Sequence, residues 1–146
     1  GKMTHFEGGQ RVPAIMKWPG RIPADTVCSE ITLSMDLLPT IAYITGAELP
    51  SIKLDGKNVY DLITGVEGAT SPHEYFFYGT AAVRSGDWKY HQTEKFKVKK
   101  TRRTTQGPTL YNLREDIGET TNVIDQRPEI AARFAHVLAN NPNRAP

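Results

Sequence analysis

The chain has 146 residues, with 18 Lys and Arg against 16 Asp and Glu and a formal net charge of +2, a balance too even to indicate a nucleic-acid partner. A single cysteine excludes an internal disulfide and any multi-cysteine zinc site, and no apolar run approaches the roughly 20 residues of a membrane-spanning helix. With 38% hydrophobic residues, 12 Gly and 10 Pro, the composition is that of a turn-rich globular chain of ordinary domain size.

The opening string "GKMTHFEGGQRVPAIMKWPGRIP" sets Lys2 and His5 ahead of a Glu-Gly-Gly turn and an apolar run. Starting at Gly1 with no signal-peptide pattern and immediate motif density, it reads as a piece of something longer. Residues 12 to 18, "VPAIMKW", are expected to form a short buried strand closed by Pro19-Gly20. Cys28, with no His or Asp at nucleophile-like spacing, reads as a small buried hydrophobe. In "MDLLPTIAYITGAELP", Leu37, Ile41 and Ile44 recur at helical spacing, Ser34 or Asp36 can cap the start, and Gly46 with Pro50 supplies the stop. Pro39 fits the first turn, where its missing N–H breaks no bond. The expectation is an amphipathic helix with its apolar face on a core. A shorter helix spans Val59 to Thr64 and ends at Gly65.

From there the period changes to two. "EYFFYG" and "AAVRS" are strand-like, "SGD" is a tight turn, and "WKYHQ" alternates Trp88, Tyr90 and Gln92 with Lys89 and His91, so residues 81 to 92 predict an antiparallel hairpin. Half of Tyr75, Phe76, Phe77 and Tyr78 should be core. The run "KFKVKKTRR" (Lys95, Lys97, Lys99, Lys100, Arg102, Arg103) is either a solvated insertion or an anion-binding patch. "TLYNL" adds a further strand, and Pro128 opens a last helix with Ile130, Phe134, Val137 and Leu138 on one face. His73 and His136 lack partners at metal-ligand spacing and read as surface residues. The fold class is α+β, a small four-stranded antiparallel sheet packed by a C-terminal helix.

Several of these segments, in this order, resemble the sulfatase family. Lys2, four residues, then Glu-Gly-Gly-x-Arg-x-Pro and an apolar stretch ending in Trp-Pro-Gly is similar to the segment carrying a sulfate-contacting lysine there. "MDLLPTIAYITGAELP", "LDGKNVYDLITG", "AVRSGDWKYH", "LYNLREDIGETTNV" and the last helix follow the same family order. The resemblance implies residues 1–72 as the end of an alkaline-phosphatase-like α/β catalytic domain and 73–146 as a C-terminal subdomain. It further implies hydrolysis of an aryl or carbohydrate sulfate ester by a formylglycine beside a calcium ion. No Cys/Ser-x-Pro-x-Arg motif occurs in this sequence, and "CSEI" at Cys28 is not one. Nucleophile and calcium ligands are therefore expected in a missing N-terminal catalytic portion, no metal ligand is expected in this chain, and the fragment alone should be inactive.

On that resemblance Lys2 is the catalytic and substrate-binding cation, since sulfuryl transfer needs a fixed positive charge beside the sulfate oxygens. His5 stands where the family usually has an aromatic or small residue; acid–base, pocket and surface readings stay open for it. Glu7, Gly8, Gly9 and Arg11 are expected to support the site: the glycines permit close backbone approach, and Glu7 with Arg11 can pair to aim Lys2. Arg84, Trp88 and His91 sit on the expected hairpin, and the resemblance implies that loops of this subdomain close over the site, without indicating which ones. Neither membrane nor nucleic acid is expected as a partner, and family habit implies a periplasmic, secreted or lysosomal parent. The alternatives are a phosphoester or phosphonate hydrolase of the same superfamily, or a non-catalytic module binding anions or sulfated glycans.

Overall fold

The computed structural model describes residues 4–92 and 107–141. Lys2 and the basic run from Lys95 to Arg103 lie outside the described residues. The chain divides into two compact units, Gly1–Val12 with Tyr75–Pro146, and Pro13–Glu74. The opening segment, Gly1–Val12, clusters with the sheet.

The first unit is built on an antiparallel sheet of β1 (Phe76–Tyr78), β2 (Ala82–Ser85), β3 (Trp88–His91) and β4 (Thr109–Asn112) in the order β1-β2-β3-β4. The expected hairpin is there: Ser85 pairs with Trp88 across Gly86-Asp87. Gly86 has φ 53, the positive value that a two-residue II′ turn demands at its first central position and glycine adopts without strain. The register sets Phe77, Val83, Tyr90 and Leu110 side by side on one face.

That face packs against α4 (Pro128–Ala139), which begins with Pro in its first turn and presents buried Ala131, Phe134 and Leu138 at helical spacing. Tyr75, Phe77, Trp88, Ile130 and Val137 close the cluster around them. Each fully buried Phe134, Leu110 or Leu138 contributes about 1.5–3 kcal/mol of transfer free energy.

The other face of the same sheet carries Tyr78, Arg84, Lys89, His91 and Tyr111. Alternation predicts such a polar face to be wet; here Lys89 and His91 are both fully buried. The cover is the segment from Thr4 through α1 (Glu7–Gln10). Phe6 stacks on His91 with ring centroids 4.7 Å apart and tilts against Tyr111.

The second unit holds a 3-10 turn at Ser34–Asp36, α2 (Leu37–Thr45) and α3 (Tyr60–Thr64). Both helices stop at a left-handed glycine, Gly46 and Gly65, as the sequence indicated. Asp36 is buried and organises the unit. Its Oδ2 accepts the Leu33 N–H at 2.7 Å, and its Oδ1 accepts the Lys57 N–H at 2.9 Å and meets His73 Nε2 at 2.8 Å. Thr40 donates to the Asp36 carbonyl and accepts from the Val59 N–H.

Four expectations for this unit are corrected. Residues 12 to 18 form no strand, and Val12, Ile15 and Met16 are exposed; no neighbouring strand among the described residues offers them a ladder. The buried stripe of α2 is Pro39, Thr40 and Ala42, while Leu37, Ile41 and Ile44 are exposed. Helical periodicity identifies an apolar face without saying what covers it. Cys28 is exposed rather than buried. His73 is not a surface residue: its side chain is 7% exposed and bonded to Asp36.

Candidate functional site

The densest chemistry lies on the polar face of the sheet, under α1. Glu7 is buried, and its carboxylate takes three donors: Oε1 accepts from the Tyr78 hydroxyl and from Lys89 Nζ at 2.9 Å, and Oε2 accepts from Arg84 Nη1 at 3.0 Å. Glu119, in the turn after β4, lies across the same lysine. Its Oε1 is 3.1 Å from Lys89 Nζ and 2.9 Å from His91 Nε2. Its Oε2 accepts the backbone N–H of Glu7. Lys89 thus bridges two carboxylates and also lies 3.9 Å from the centroid of the Tyr78 ring, a cation–π contact.

The charges balance: Glu7 and Glu119 against Lys89 and Arg84. Buried ions persist only when paired and hydrogen-bonded, and this set meets both conditions. Burial by itself would raise the Glu7 pKa, but the Tyr78 hydroxyl, Lys89 and Arg84 together outweigh it and hold the carboxyl below its ordinary 4.5. Burial, then the bond to Glu7 and the charge of Glu7, push the Tyr78 phenol far above its usual range.

The local backbone reinforces this arrangement. A Cβ on Gly9 would sit 2.3 Å from the Thr4 carbonyl oxygen, so only glycine lets the α1 turn close on Thr4. Gln10 Nε2 donates to that same oxygen at 3.0 Å. Gly8, by contrast, has nothing within 4 Å.

The residues singled out from the sequence are distributed as follows. Lys2 lies outside the described residues, two positions before Thr4. His5 is half-buried, its Nε2 3.8 Å from where a Gly79 Cβ would stand. Glu7 is bonded into the sheet, and Gly9 lets the turn close on Thr4. Arg11 is exposed, and the cations on the Glu7 carboxylate are Arg84 and Lys89 from β2 and β3. A local pairing with Arg11 was the wrong geometry, because the carboxylate points into the sheet. Arg84 and His91 turn to Glu7 and Glu119, and Trp88 packs in the apolar core. Sequence reasoning missed Lys89, Tyr78 and Glu119. A signal was present: Arg84 and Lys89 are direct cross-strand partners, and like charges at that spacing require an anion between them.

Among the described residues no cluster of three or more His, Cys, Asp or Glu is placed to hold a metal ion. Cys28 is followed by Ser29-Glu30-Ile31 and not by the x-Pro-x-Arg of a formylglycine motif. No helix among the described residues is long and apolar enough to cross a membrane.

A family model described as N-sulphoglucosamine sulphohydrolase, C-terminal, matches residues 1–141. The chain belongs to the sulfatase family. It corresponds to the C-terminal portion of its members. Arylsulfatase A of Bos taurus is 39% identical over 151 residues, covering 90% of this chain and 29% of that protein. Arylsulfatase A of Homo sapiens is 35% identical, covering 85% and 28%, and steryl-sulfatase of Rattus norvegicus is 38% identical, covering 64% and 16%. This sulfatase chain therefore spans less than a third of the length of these relatives. Two solved structures share the fold at 23% identity. One, titled for glycosaminoglycan metabolism by Bacteroides thetaiotaomicron, has a TM-score of 0.55 and covers 75% of this chain and 24% of its own. The other, Ps i-CgsB, has a TM-score of 0.59 and covers 84% and 27%. This sulfatase portion is thus an α+β unit whose Glu-Gly-Gly turn is ion-paired into its antiparallel sheet.

Proposed function

We propose that this chain is the C-terminal portion of a sulfuric ester hydrolase that cleaves an aryl or carbohydrate sulfate ester to alcohol and inorganic sulfate. The observation that carries the reading is the buried Glu7 of the Glu-Gly-Gly turn, held by Lys89, Arg84 and Tyr78, within a chain matched along nearly its whole length by sulfatase relatives. The turn lies just after Lys2 in the chain, and a fixed ammonium there meets the requirement of sulfuryl transfer. Charge develops on the departing and non-bridging oxygens, and a preorganised cation stabilises it without reorganisation at the moment of reaction. His5, five residues into the same segment, lines the pocket beyond the sulfate.

The calcium ion and formylglycine that the family resemblance implies would supply Lewis-acid and nucleophilic chemistry from sequence outside these 146 residues. The remainder of the catalytic domain is the natural cover for the exposed apolar side chains of the Pro13–Glu74 unit, Ile15, Val27, Leu38 and Ile41 among them. The 146-residue chain by itself turns over no sulfate ester.

The test is hydrolysis of 4-nitrophenyl sulfate by the full-length protein carrying this chain. Lys2→Ala is expected to lower kcat by about 10²–10³, the usual cost of removing one preorganised donor, while leaving thermal stability unchanged. Activity unchanged in Lys2→Ala, or turnover of a phosphate ester in preference to the sulfate, would count against it.

A further inference from the structure

We draw no further inference here: the strongest candidate, the apolar groove of the Pro13–Glu74 unit between residues 34–39 and 53–56, walled by Met35, Leu37, Leu38, Pro39 and Leu54, carries nothing beyond the cover already proposed for that unit, since nothing in the structure shows what lies against it.

Discussion

Replacing Lys89 by methionine removes the ammonium that two buried carboxylates share and keeps the length of the side chain. In the native chain Lys89 Nζ stands 2.9 Å from Glu7 Oε1 and 3.1 Å from Glu119 Oε1, with the lysine fully buried. At an effective dielectric constant near 20, each contact is worth about 5 kcal/mol of gross attraction, most of it offset by desolvation of the ions. Removing one partner leaves that desolvation uncompensated, and the expected loss is about 3–5 kcal/mol, a large share of the roughly 5–15 kcal/mol that holds a domain folded. In Lys89→Met/Glu119→Gln both charges go, and the remaining Glu7–Arg84 pair is balanced. The double variant should therefore recover roughly 2 kcal/mol relative to the sum of the single changes. Urea unfolding at pH 7, followed by Trp88 fluorescence in a Trp18→Phe background, reads both numbers. With slopes of about 1–3 kcal/mol per molar urea, Lys89→Met should lower the midpoint by more than about 1 M. A smaller shift, or strictly additive single and double variants, would refute the view that this lysine is the keystone of a coupled ion set.

Four further outcomes are expected. Because the folded-state pKa of Glu7 lies below its ordinary 4.5, its stabilising contribution is present above that value and is lost as the pH falls through the folded pKa. Acid titration of unfolding free energy should therefore show a decline beginning near pH 4.5 that Glu7→Gln flattens. The Tyr78 pKa is raised above its usual 10.0, so its contribution is present below pH 10 and lost above it; Tyr78→Phe should reduce the alkaline slope, leaving a residual slope from Tyr90, whose pKa burial also raises. Gly9→Ala, whose Cβ would stand 2.3 Å from the Thr4 oxygen, should cost about 1–3 kcal/mol by overpacking in the same urea assay, whereas Gly8→Ala, with nothing within 4 Å, should stay within about 0.5 kcal/mol of wild type. Arg114→Ala breaks an ion pair whose side chains are 76% and 43% exposed, and its effect on the melting temperature should fall within experimental error.

How far the sequence anticipates this structure differs between the two units, for a physical reason. In the sheet unit the signals are local: Gly86 demands the hairpin, alternation sets Val83 and Tyr90 on one face, and Pro128 opens α4. Each was legible because the residues that decide the structure are neighbours in the chain. The Glu7–Lys89–Glu119 set was not, since Lys89 and Glu119 lie 82 and 112 residues from Glu7 and no local spacing brings them together. In the Pro13–Glu74 unit the apolar pattern of α2 is real, but Leu37, Ile41 and Ile44 face outward, and a periodic stripe carries no information about its cover. Asp36 and Thr40 took the buried positions instead, because each satisfies backbone N–H groups that an apolar side chain would leave unpaired.

The contrast between the two sheet faces bears on why a sulfatase would keep an ion cluster where apolar packing would serve stability as well or better. The α4 face buries Phe134, Leu110 and Leu138 and tolerates small adjustments, because dispersion contacts are many and individually weak. The opposite face holds Glu7 through three directed donors at 3.0 Å or less, an arrangement that admits one orientation of the turn and penalises the others by the full desolvation of a carboxylate. An apolar residue at position 7 would anchor the turn with comparable strength and leave it free to slide. The ion cluster therefore fixes the orientation of the Glu7–Gln10 turn as well as its attachment, whereas the α4 face secures attachment alone.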